Sequence, residues 1–106
     1  MNIQYYQEWT KTTAIYKMKR YYPALLLASE VGEVLGHIQK MHRDDDDIVT
    51  PDRKDKLRLE LGDVLWALCR LADDLDLDMG DVMMYNHAKL TARQAKGTIS
   101  GSGDYR

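Results

Sequence analysis

Phenylalanine is absent from the 106 residues, proline occurs twice and cysteine once. Each scarcity removes a class of protein. A single thiol, Cys69, cannot form an intrachain disulfide, so nothing demands an oxidising compartment. No apolar run approaches the roughly 18 residues a membrane span needs, and no basic segment leading into an apolar run opens the sequence. The expectation is a cytoplasmic protein with no membrane partner. A formal net charge of −2 leaves no basic excess for a nucleic-acid backbone, so nucleic acid is not an expected partner. The low proline content, with Leu, Ala, Met, Lys and Asp dominant, suits an all-α chain, and the length suits one domain spanning residues 1–106.

What the chain does have is a repeated phrase. Leu27-Ala-Ser-Glu30-Val-Gly32-Glu33-Val34-Leu35 is echoed by Leu57-Arg-Leu-Glu60-Leu-Gly62-Asp63-Val64-Leu65. Apolar residues recur at helical spacing in both: Leu27, Val31, Val34, Leu35, Ile38 and Met41, then Leu57, Leu61, Val64, Leu65, Leu68 and Leu71. At about 100° per residue each set forms one stripe, and the two acids of each helix fall together to one side of it. Two helices packed through these stripes bring Glu30, Glu33, Glu60 and Asp63 to one edge of the contact. Acids at i and i+3 ordinarily just meet water. Like charges at helical neighbours repel, however, and finding them twice in one phase suggests a bound cation. Gly32 and Gly62, each costing about 1 kcal/mol relative to Ala within a helix, lie on neither face and read as points of close approach for another helix.

The spacing predicts a first helix over residues 2–18, with Tyr5, Tyr6, Trp9 and Tyr16 on a thin aromatic face. Both a packing face and a stacking surface for a flat ligand are open to it. A basic connection, residues 17–22, leads to a second helix over 23–42, and residues 43–47 read as a solvated acidic loop. Four aspartates in a row lack the glycine and spacing of a calcium loop. Thr50 and Pro51 open a third helix, as N-cap and first helical residue, which runs to Asp74. Leu59 and Trp66, with Cys69 toward the same flank, lie opposite its main stripe and predict a subunit interface, hence a homo-oligomer, dimer or tetramer. Asp78 caps a fourth helix running to Ala95, which aligns Asn86, Lys89 and Arg93 as donors for a polyanion. Oxygen ligands without a His or Cys set favour magnesium or manganese over zinc, and His37, His42 and His87 stand outside the set. The Gly-rich tail, residues 97–106, ends in Arg106, which can fold over a phosphate.

In this order Glu30-x-x-Glu33, Glu60-Leu-Gly-Asp63-Val-Leu-Trp66, Asn86-x-x-Lys89-Leu90-x-x-Arg93 and Gly97-x-Ile99-x-Gly101-x-Gly103-Asp104-x-Arg106 resemble the MazG-like nucleotide pyrophosphohydrolases, of the all-α nucleoside triphosphate pyrophosphatases. Thr13-Ala14-x-Tyr16 extends the likeness toward the start of the chain. The resemblance implies a four-helix bundle that oligomerises, with Mg²⁺ held by Glu30, Glu33, Glu60 and Asp63. It implies phosphate contacts from Asn86, Lys89 and Arg93, and from Lys40. It further implies hydrolysis of a nucleoside triphosphate between the α and β phosphates, with one carboxylate, assigned to Glu33, taking the water's proton. Trp9 is the candidate for a base-binding contact and Arg106 for a tail contact. Two positions depart from the family: Ala67 stands where tyrosine is usual and Tyr105 where asparagine is frequent. The rival reading is a non-catalytic helical module with a vestigial acid cluster. A di-iron oxidase is disfavoured, since neither acidic helix carries Glu-x-x-His.

Overall fold

Four α-helices and no strand make up residues 1–104, which the computed structural model describes. Their bounds follow from local chemistry. Helix α1 spans Ile3–Thr10 and is capped by Asn2, whose side chain accepts from the Tyr5 amide at 2.8 Å. The sequence predicts this helix to continue to residue 18; it does not. Thr10, Thr12 and Thr13 turn their hydroxyls back onto the carbonyls of Gln7, Trp9 and Thr10, the chain tightens into a 3-10 turn at Lys11–Thr13, and Ala14 leaves helical geometry. Consecutive β-branched residues that bond their own backbone are poor material for a helix interior.

Helix α2 spans Tyr21–Asp44 and α3 spans Pro51–Asp74. Arg43 and Asp44 thus belong to α2 rather than to the acidic loop. Thr50 caps α3 as the sequence predicts, accepting from the Arg53 amide at 3.1 Å. The two long helices run antiparallel: the Glu30 end of α2 meets Glu60 and Asp63, and His37, one turn beyond Glu33, meets Arg53. Helix α4, Met79–Lys96, is capped by Asp78 and closed by Gly97 at φ +69°, a left-handed cap that costs glycine little.

Segment 14–20 is tied down by a buried polar network on α3. Asp74 accepts from the Tyr16 hydroxyl at 2.8 Å and from the Arg20 amide at 2.9 Å, and it pairs with Arg70 at 3.3 Å. Arg70 also meets Asp73 and donates to the Tyr16 oxygen. Burial works against the charge of Arg70, but the bonds to Tyr16 and Asp73 outweigh it and raise its pKa. The network holds Arg20, at φ +68°, as the residue from which α2 starts. Gln7 does the same for α4: its amide donates to Leu77 O at 2.8 Å and its oxygen accepts from Met79 N at 2.9 Å.

The core is small. Cys69, Ala72 and Met79 are buried together, flanked by Ile3, Tyr6 and Leu65. Cys69 therefore belongs to the interior and not to an outer face. Trp66 is also covered by its own chain, donating its indole N–H to Thr13 Oγ1 at 2.8 Å and meeting Tyr16 edge-on. The back of α3 that stays open is Leu59, 72 % exposed. Within the subunit Gly32 and Gly62 are not points of close approach, since a Cβ added at either meets nothing within 4 Å. The glycine that fills that role is Gly80, where a Cβ would come within 2.5 Å of the Gln4 amide.

Much apolar surface remains outside. Val31, Leu35 and Ile38 of α2 and Leu61 and Leu68 of α3, all from the two predicted stripes, are exposed. From residue 81 to residue 92 every position of α4 is exposed. The accessible surface of 8002 Å² exceeds the roughly 6,100 Å² expected of a folded 12.3 kDa monomer by about 1,900 Å². The radius of gyration, 16.7 Å, compares with about 13 Å for a compact domain of this length. No helix among the described residues is long and apolar enough to cross a membrane.

Candidate metal centre and nucleotide site

The α2–α3 pairing brings carboxylates together as the phase of the repeat predicts. Glu30, Glu60 and Asp63 each offer an oxygen, and the three oxygens lie within 4.8 Å of one another. Glu30 and Glu60 are half-buried and Asp63 is exposed. Glu33 is exposed and stands outside the tight group, yet its charge reaches Glu30. Burial is the largest influence on the Glu30 carboxyl, followed by Asp63, Glu60 and Glu33, and all four push its pKa up. An all-oxygen donor set of this kind fits a hard divalent cation.

His37, which the sequence sets on the acidic side of α2 one turn past Glu33, stands beside this cluster. His37 Nε2 lies 3.5 Å from Glu60 Oε1. Tyr6, on α1, has its phenol pKa raised by burial, then by Cys69 and then by the charge of Asp63. Trp9 packs against Tyr6 with ring centroids 5.8 Å apart and is partly exposed.

The predicted phosphate contacts lie elsewhere in the chain. Helix α4 packs on α1 and, through Met79, on the Cys69–Ala72 region of α3. Arg93 is 5 % exposed and donates to Gly103 O at 3.2 Å and to Asp104 Oδ1 at 3.5 Å, while its buried Nε has no hydrogen-bond partner among the described residues. Lys89 Nζ reaches the same Asp104 oxygen at 3.4 Å. The hydrogen bond from Lys89 lowers the Asp104 pKa most, with the charge of Lys89 and then Arg93 adding to it. Asn86 and Lys89 line an open cleft of about 710 Å³ with Asp76, Asp78, Asp81 and Tyr85. Within one subunit, then, the cations hold a carboxylate of the tail. Lys40 is exposed, and its charge contributes to lowering the pKa of Asp44. Arg106 and Tyr105 lie outside the described residues. Ala67, where a tyrosine was expected, is fully buried.

Residues 17–98 match the MazG nucleotide pyrophosphohydrolase domain. The chain belongs to the MazG family. The matched segment contains all four acids together with Asn86, Lys89 and Arg93, whereas α1 and the end of the tail fall outside it. Among curated proteins, the Gene 37 protein of Mycobacterium phage L5 is 36 % identical over 114 aligned residues, covering 100 % of both chains. No solved structure matches the chain.

Crowded carboxylates cost folding energy when no cation lies between them. Glu30→Gln should therefore leave the melting temperature of the metal-free protein unchanged or a few degrees higher, and should remove the rise that added Mg²⁺ produces in the parent. Paired thermal melts with chelator and with Mg²⁺ check this. A metal-free variant several degrees less stable would mark Glu30 as a structural partner instead.

Proposed function

We propose that the protein is a divalent-metal-dependent nucleoside triphosphate pyrophosphohydrolase. It cleaves a ribo- or deoxynucleoside triphosphate between the α and β phosphates to a monophosphate and pyrophosphate, as a nucleotide-pool enzyme of the cytoplasm. The observation that carries this reading is the convergence of Glu30, Glu60 and Asp63 within 4.8 Å inside the family-matched segment. These three would hold Mg²⁺, with Mn²⁺ as a substitute, and the bound ion would offset triphosphate charge and polarise water. Glu33, exposed and outside the tight trio, is the general base in this reading. Water oxygen bonds to the α-phosphorus as the α–β bridging P–O bond breaks. Its proton passes to Glu33, and the electron pair leaves with pyrophosphate. Asn86, Lys89 and Arg93 offset the charge on the departing group, and Trp9 with Tyr6 stacks against the base.

The working unit in this reading is a homo-oligomer, at least a dimer. An isolated helix of 18 residues is marginal in water, yet α4 is exposed over residues 81–92, so a second copy is its natural cover. The surplus of about 1,900 Å² per subunit, about 3,800 Å² for a pair, falls in the range of obligate interfaces, which bury roughly 2,000–5,000 Å² in total. Val31, Leu35, Ile38, Leu61 and Leu68 supply the apolar face. Covering α4 in this way also offers a route by which Lys89 and Arg93 meet carboxylates that their own subunit does not present to them. Light scattering after size exclusion should return at least twice the 12.3 kDa subunit mass. A clean monomer at micromolar concentration would contradict the assembly.

The reaction has its own test. In ¹⁸O-labelled water with Mg²⁺ and a panel of ribo- and deoxynucleoside triphosphates, label should enter the monophosphate and not pyrophosphate. Label in pyrophosphate would place attack at the β-phosphorus, and free orthophosphate would show γ-cleavage. No turnover with either Mg²⁺ or Mn²⁺ would favour the non-catalytic module.

A further inference from the structure

The acidic run after α2 looks like solvated charge, but one of its members faces inward. Asp45 Oδ2 accepts from Arg53 Nε at 3.0 Å, and Arg53 sits in the first turn of α3, with its amide on the Thr50 cap. The same guanidinium reaches back across the helix pair to His37 Nδ1 at 3.2 Å. His37 Nε2 in turn stands 3.5 Å from Glu60 Oε1. Four side chains, none more than 23 % exposed, thus run in a line from the loop to the carboxylate cluster.

The chemistry of the line is directional. A guanidinium has five N–H donors and no acceptor, so the His37 nitrogen facing it must present its lone pair. That leaves the ring proton on Nε2, the atom directed toward Glu60. Asp45 fixes the guanidinium from the other side, so neither the tautomer nor the position of the imidazole is free to drift. We propose that His37, oriented by Arg53 and Asp45, is a positioning residue that sets the Glu60 carboxylate for cation binding. It is not itself a ligand, for the group whose oxygens lie within 4.8 Å comprises Glu30, Glu60 and Asp63 without it. Partners one layer out from a metal ligand change affinity about 10–100-fold when removed.

This inference rests on the metal reading of the acid cluster, and its test separates the two. Mn²⁺ alone is titrated into the full-length parent and into His37→Gln, His37→Leu and Arg53→Met, with free Mn²⁺ followed by electron paramagnetic resonance and folding by circular dichroism and thermal melts. Glutamine offers an oxygen to Arg53 and an N–H to Glu60, whereas leucine fills similar space with neither. Affinity should fall about tenfold or more for His37→Leu and stay within about threefold of the parent for His37→Gln. Arg53→Met should weaken binding in the same direction with the helices intact. Parent-like affinity in both His37→Leu and Arg53→Met, or equal losses in His37→Leu and His37→Gln, overturns the positioning role while the metal reading stands. Absence of Mn²⁺ binding in the parent overturns both.

Discussion

Negative charge held at close quarters is the constraint on which the rest depends. Glu30, Glu60 and Asp63 bring oxygens within 4.8 Å, and Glu33 adds its charge from just outside. Such crowding opposes folding, and the helix pair must supply the restraint. It does so by register: α2 and α3 run antiparallel, so the repeated acids of one phrase meet those of the other. The same register sets His37 against Glu60 and Arg53 against His37. Fixing the pair itself falls to groups remote from the acids. Asp74 holds the start of α2 through Tyr16 and the Arg20 amide, and Gln7 holds the start of α4 through Leu77 and Met79.

The subunit is better at gathering acids than at gathering cations. Lys89 and Arg93 close on Asp104 of the tail. Arg93 is buried, with one nitrogen unpartnered among the described residues, although α4 is open to solvent along most of its length. Exposed stripe residues on α2 and α3 belong with this: Leu35 and Leu61 follow the apolar period but stay largely exposed in the subunit. A small core built on Cys69, Ala72 and Met79 is what one subunit can close by itself.

How far this was legible in the sequence depended on the range of the interaction. Thr50, Pro51 and Asp78 announce helix starts through contacts three residues away, and α3 and α4 begin where those residues say. The phase of Glu30, Glu33, Glu60 and Asp63 is likewise local to each helix, and only their meeting needed the fold. Periodicity failed in α1, where aromatic spacing continues past Thr10 but threonine hydroxyls compete for the backbone. Within the subunit it also misread Gly32 and Gly62, since phase gives a direction and not a neighbour; the crowded glycine, Gly80, sits where α4 starts beside α1. Trp66 and Cys69 read as an outer face because the irregular segment and α1 that cover them come from far earlier in the chain. The Asp45–Arg53–His37–Glu60 line joins residues through helix register and carries no sequence signature of its own.

The metal reading can be checked by anomalous diffraction at the manganese edge, on crystals grown with Mn²⁺ and a triphosphate whose α–β bridge resists hydrolysis. An anomalous peak bounded by Glu30, Glu60 and Asp63 is expected, with the triphosphate between that peak and Lys89 and Arg93 of an adjoining copy. A peak confined to the aspartates of residues 44–47, or no peak at the carboxylate cluster under saturating Mn²⁺ and nucleotide, would contradict it.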